Sequence, residues 1–264
     1  MARPSPTRAG WAFRLAARVV IVLVRLLNWR VDITGLENVP RRGGAVVTFN
    51  HHSYGDFYLC AWAIYREVGR PVRFLAKKEL FDMPVVGWIL RSAGQVPVAR
   101  GSRAGRREAF AEAVYRLRSG EVIAIAPEQT ISRSFELLPF STGAARMAID
   151  GGVPIVPSVN WGSQRWATKG RPIDWRARGI PVLVRYGEPI ETHPGDEPHE
   201  VTERVRAAMA AMLDEMQREY PDTATAGDDW WQPRRLGGSA PSHEDILREH
   251  LLRESEWRTG GTSQ

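Results

Sequence analysis

The sequence predicts an α/β fold: a largely parallel β-sheet flanked by helices. Three observations predict it. Short apolar, β-branched runs recur along the chain, segments of helical period separate them, and turns rich in Gly, Pro and small polar residues join the two. A chain of 264 residues that is 43% hydrophobic and 25% charged can bury a sizeable core.

The first element is an amphipathic helix within Trp11–Trp29. At 100° per residue, Arg14, Arg18 and Arg25 fall within about 40° of one another, and apolar side chains fill most of the remaining arc. The three arginines interrupt the stretch, so it does not read as a transmembrane span. No small-residue cleavage site follows it, so it does not read as a signal peptide. The net charge of +6 sharpens this. Residues 1–30 hold six arginines and no acid, which leaves 30 basic against 30 acidic residues in the body. A neutral body argues against a nucleic-acid binder, and a local basic helix points to an anionic lipid surface. A helix with a narrow cationic line suits the membrane interface. The competing reading packs it on the domain with its arginines in water.

Residues 30–220 carry the alternating pattern. Val31–Thr34 is a short strand, and Ala45–Phe49 is a buried one. A helix follows through Tyr58, Leu59, Trp62 and Tyr65. Val72–Ala76 and Val96–Ala99 are strands around a helical or loop segment at Pro84–Leu90. Arg103–Arg118 is a helix, with Phe110, Ala113, Val114 and Leu117 on one face. Val122–Ala126 is a buried strand, Thr142–Ile149 a helix, and Val153–Val159 and Pro181–Tyr186 further strands. Val201, Val205, Met209, Met212 and Met216 mark a long final helix. From Pro221 the composition shifts to glycine, proline and charge around Trp230-Trp231. This reads as an extended tail, 221–264, with a helix at His243–Leu252. Cys60 is the only cysteine, so an internal disulfide is excluded.

The chemistry concentrates in Asn50-His51-His52-Ser53-Tyr54-Gly55-Asp56, directly after a buried strand. Strand exits are where α/β sheets place their ligand sites. Five residues separate His51 from Asp56, about 140° on a straight helix, but the two can meet at a strand-to-helix turn. His51 can then act as a general base oriented by Asp56. A structural reading competes: Ser53 and Asp56 also fit an N-terminal capping box. His52 is a rival base, four residues from Asp56. His193, His199, His243 and His250 have no partner pattern and read as surface residues.

Three further blocks follow in order. They are Gly94-Gln95-Val96-Pro97-Val98-Ala99-Arg100, Ala126-Pro127-Glu128-Gln129-Thr130 and Val153-Pro154-Ile155-Val156-Pro157. Together with the Asn-His-x-Ser-x-x-Asp block, they resemble the four blocks of the glycerolipid acyltransferase family over roughly residues 30–190. The resemblance implies that the imidazole matching His51 deprotonates the acceptor hydroxyl and that the carboxylate matching Asp56 supports it. It assigns Arg100, Glu128, Gln129 and Thr130 to the glycerol-phosphate acceptor. Lys77 is a further cation near Arg100 in sequence. No metal and no cofactor is implied, and acyl-CoA or acyl carrier protein serves as the donor substrate. The implied acceptor is a lysophospholipid, foremost 1-acylglycerol-3-phosphate, met at the cytoplasmic face of the plasma membrane by a peripheral or monotopic enzyme.

Two positions depart from the family's third block: Gln129 stands where Gly is usual, and Ile131 where Arg is common. If the first position needs a positive φ, Gln129 is strained there. Arg133 can replace the missing cation. Two other functions stay open on the residues alone. One is a metal-dependent hydrolase with His51, His52 and Asp56 as ligands. The other is a non-catalytic membrane adaptor of the same fold, which Gln129 favours.

Overall fold

A computed structural model describes residues 11–99 and 102–260 of the chain. Its centre is a seven-stranded sheet in the order β1-β7-β6-β2-β5-β3-β4. The strands are β1 (Arg30–Thr34), β2 (Ala45–Phe49), β3 (Val72–Lys77), β4 (Val96–Val98), β5 (Val122–Ile125), β6 (Ile155–Trp161) and β7 (Pro181–Tyr186). Every pairing is parallel except β6 with β7.

All five residues of β2 and all seven of β6 are buried, as expected of central strands covered on both faces. Side chains alternate across the sheet, which divides the core in two. Val46, Ile123 and Ile155 join one cluster with α5 (Arg103–Arg118), α6 (Gly143–Gly151) and α7 (Pro198–Arg218). Val47, Phe49, Val122 and Val156 join the other with Leu59, Cys60 and Ile64 of α2 (Asp56–Val68).

α1 (Trp11–Leu26) packs against α2 and against α4 (Pro84–Ser92), which follows the short α3 (Lys78–Asp82). Ala17 is buried in this contact while Arg14, Arg18 and Arg25 stay exposed. No helix among the described residues is long and apolar enough to cross a membrane.

The segment from Asp222 to His250 lies against the body. Trp231 and Ala240 are buried in the cluster with α7, and Trp230 stacks under the Arg171 guanidinium at 3.9 Å. The closing helix α8 (His243–Gly260) buries Ile246 and His250. His250 therefore departs from the expectation of a surface histidine. The sequence offers no sign of this, because the burial of a helix face depends on what packs against it.

Candidate active site

β2 runs parallel to both its neighbours, β5 and β6, so the three chains leave the sheet at one end. Their loops converge where the strand order turns, the usual ligand crevice of an open α/β sheet. His51 stands in the turn from β2 to α2, with a side chain 21% exposed. Its Nδ1 lies 3.4 Å from Asp56 Oδ2. With Nδ1–H turned to the carboxylate, Nε2 carries the free lone pair and is the basic atom.

Asp56 is fully buried, and its carboxylate is held from several sides. Oδ2 accepts the backbone N–H groups of His52 and Ser53, each at 2.7 Å. Oδ1 accepts Ser163 Oγ–H at 2.8 Å. These donors hold the buried carboxylate in place to receive the imidazole N–H. The capping reading also holds in part, because Asp56 reaches back to the Ser53 N–H. The helix nevertheless starts at Asp56, with Gly55 as its N-cap, and Ser53 Oγ accepts from Gly55 N instead.

His52 takes a different part. Its ring is completely buried between Phe135 and Trp161, at 6.0 and 5.9 Å, and its Nδ1 lies 3.0 Å from Asn50 Nδ2. Burial pushes its pKa down to about 4, against a smaller opposite pull from Asp56. Asn50 also donates to Asn160 O and accepts from Asn160 N, which ties the β2 exit to β6. His51, His52 and Asp56 therefore do not converge as a ligand set. Among the described residues, no three His, Cys, Asp or Glu side chains gather to hold a metal.

Glu128 does not take the position expected of an acceptor-binding residue. It is fully buried, and its two oxygens accept the N–H groups of His51 (2.8 Å) and Leu138 (3.0 Å). Those bonds favour the anion, but burial outweighs them and raises the pKa to about 8. Glu128 fixes the backbone of His51 from behind. Gln129 is exposed at φ 60°, so the position where the family has Gly does require the left-handed region. Thr130 is half-buried, and its Oγ1 lies 3.4 Å from Lys169 Nζ. Ile131 is buried, and Arg133 Nη2 donates to both carboxylate oxygens of Glu249 of α8 at 2.6 Å. Lys169, not Arg133, is the cation that reaches the third block. Lys77 is exposed at the end of β3, two strands from β2. Arg100 lies outside the described residues.

Sequence reasoning missed Ser163, Thr168 and Lys169. All three sit on the loop after β6. Thr168 Oγ1 donates to His52 O at 2.7 Å, and the Tyr54 N–H donates to Ala167 O at 3.1 Å. Gly162 makes the turn that delivers Ser163: its φ is 103°, and an added Cβ would lie 2.1 Å from Pro181 O. A Gly-Ser pair just past a buried strand was the available signal, but it becomes informative only once β6 is known to lie beside β2.

An imidazole backed by a buried carboxylate, at the exit of a parallel sheet, defines a general-base site able to activate a hydroxyl. The acyltransferase family model matches residues 30–161, which contain the whole turn, and the chain belongs to that family. It is 31% identical over 136 residues to a chloroplast 1-acyl-sn-glycerol-3-phosphate acyltransferase of Brassica napus, covering 51% of this chain and 38% of that protein. It is 23% identical over 220 residues to a 1-acyl-sn-glycerol-3-phosphate acyltransferase of Pseudomonas aeruginosa, covering 82% and 81%. The crystal structure of the 1-acyl-sn-glycerophosphate acyltransferase PlsC of Thermotoga maritima superposes with a TM-score of 0.64 at 26% identity, covering 80% of this chain and 81% of that one. The chain spans less than two thirds of the length of the plant and algal relatives it matches.

Proposed function

We propose that this protein transfers an acyl group from a thioester to the free hydroxyl of 1-acylglycerol-3-phosphate at a membrane surface. The observation that carries the chemistry is the His51–Asp56 pair with Nε2 turned away from the carboxylate. The acceptor rests on what the similar proteins are named for.

In this mechanism His51 Nε2 takes the proton of the acceptor hydroxyl as its oxygen attacks the thioester carbonyl. Asp56 stabilises the imidazolium that forms. The tetrahedral adduct collapses, the C–S bond breaks, and the thiolate leaves with the proton returned by His51. The products are the diacyl ester and a free thiol, with no acyl-enzyme. Lys169 and Thr130, which meet at 3.4 Å between the loops after β6 and β5, supply a cation and a hydroxyl suited to the acceptor phosphate. The donor is acyl-CoA or acyl carrier protein, and no metal or cofactor enters a step. α1 holds the protein on the lipid surface as a peripheral or monotopic enzyme of the cytoplasmic face.

The test is a lysolipid panel assayed with acyl-CoA and with acyl carrier protein. Diacylglycerol phosphate should form, and His51→Ala should remove turnover while the circular dichroism spectrum is kept. Unchanged turnover in His51→Ala would overturn the mechanism.

A further inference from the structure

α1 exposes a line of apolar side chains that the domain does not cover. Leu15, Val19, Val22 and Leu26 are separated by four, three and four residues and span about 60° of the helix. Each is at least half exposed. Arg14, Arg18 and Arg25 run beside this line, about 90° around the helix. A second apolar set stands on α3 and α4, where Leu80, Met83, Val85, Trp88 and Ile89 are all exposed, Val85 by 69%. α1 packs on α4, so the two sets occupy neighbouring helices. β3 runs parallel to β5, so α3 leaves the sheet at the end where His51 stands.

A groove of about 490 Å³ lies on the other side of the arginine line, between α1 and α2. Arg14 and Arg18 of α1 and Trp62 and Arg66 of α2 line it, and no carboxylate is among its lining residues. The Arg66 guanidinium lies 5.4 Å from the Trp62 ring centre and pairs with Glu67 at 2.9 Å.

We propose that these features form one lipid-binding face that extends well beyond the N-terminal helix. The apolar sides of α1, α3 and α4 enter the acyl region of one leaflet. The groove between α1 and α2 seats the phosphate of an anionic phospholipid. The arrangement of charge selects this occupant. Guanidinium groups fork onto phosphate, and apolar side chains beside them match the depth of the acyl boundary. A second copy of the chain would bring its own Arg14, Arg18 and Arg25 against these, like charge on like. This inference rests on the membrane part of the proposed function and not on acyl transfer. Vesicle binding needs no turnover, so the failure of one leaves the other standing.

The experiment compares partition onto vesicles of pure phosphatidylcholine and onto vesicles containing phosphatidylglycerol. The full chain is measured beside Met83→Gln/Val85→Asn and Arg66→Gln, with each fold checked by circular dichroism and thermal melting. The double variant leaves α1 and all charges intact, and should bind both vesicles about tenfold more weakly. Arg66→Gln should weaken binding several-fold on the anionic vesicles alone. Parent-like binding by the double variant overturns the proposal. So does sedimentation showing a dimer that this variant splits, since the face would then belong to a second copy. Should the double variant fail to fold, quenching by brominated lipid decides: Trp88→Phe should lose part of the quenching seen in the parent, and equal quenching in both overturns the proposal.

Discussion

The turn from β2 to α2 and the outer face of α1 are both rich in functional residue types, and they are built in opposite ways. In the turn, charge is buried and held. Asp56 is fully enclosed and receives Ser163 Oγ–H and two backbone N–H groups, while Glu128 grips the His51 backbone from behind. On α1, Leu15, Val19, Val22 and Leu26 stand in the open beside three exposed arginines. The first region is organised by the protein itself. The second is left open to solvent by the described residues, and the proposed lipid face rests on it. A site that moves a proton needs fixed geometry, because a misplaced base forfeits rate. A surface that meets lipid needs only the right chemistry at the right depth.

That contrast can be broken most forcefully at Asp56. In Asp56→Asn, an amide would face the N–H groups the carboxylate now accepts. Turnover should fall about a thousandfold and stability by roughly 3 kcal/mol, read from steady-state kinetics and urea unfolding. An equal change on the exposed face, such as Leu26→Ala, should leave the unfolding midpoint near its starting value.

Buried titratable groups sharpen the same distinction through pH. His52 has its pKa lowered to about 4, so the unfolded chain takes up a proton near pH 6.5 that the folded chain refuses. Its contribution is complete above pH 6.5 and is lost as pH falls toward 4, by roughly 3 kcal/mol in all. Glu128, raised to about 8, works in the other direction: stability falls as pH rises from about 4.5 to 8. Between about pH 4.5 and 6.5 the two slopes oppose each other. Stability measured against pH should therefore show a plateau there, with a decline on either side. His52→Asn should remove the acid-side decline that belongs to the histidine.

Ser163→Ala should have a smaller and more selective effect. Removing the hydroxyl that Asp56 Oδ1 accepts should lower kcat about tenfold with little change in KM. Ser163→Thr should restore part of the rate. A role in folding alone would lower the melting temperature without this split between kcat and KM.

The smallest effect belongs to Gln129. Gln129→Gly should stabilise the fold by about 1 kcal/mol, because the position holds φ 60° without a glycine. Thermal melting reads this directly. A lower melting point would mean that the Gln129 side chain contributes more than its backbone costs.

Much of the fold was legible in residue order. The strands at Ala45–Phe49, Val122–Ala126 and Val153–Val159 declare themselves as apolar runs because a central parallel strand is buried on both faces. His51 and Asp56 could be paired in advance because the turn that joins them is local. Glu128 could be singled out but not understood, since the His51 N–H meets it only across the β2–β5 pairing and the Leu138 N–H only once the loop after β5 has folded back. The tail illustrates the same limit. Its glycine and proline content suggested an extended segment, while Trp231 and Ala240 are buried in the cluster with α7.

The sequence by itself determined the alternation of strands and helices, the basic line on α1 and the pairing of His51 with Asp56, because each depends on residues close together in the chain. Tertiary structure alone decided that β6 lies beside β2, and therefore that Ser163, Thr168 and Lys169 border the site. It also decided that His52 is sealed away while His51 keeps an open face. Burial and strand adjacency are sums over distant segments, and no local stretch of sequence contains them.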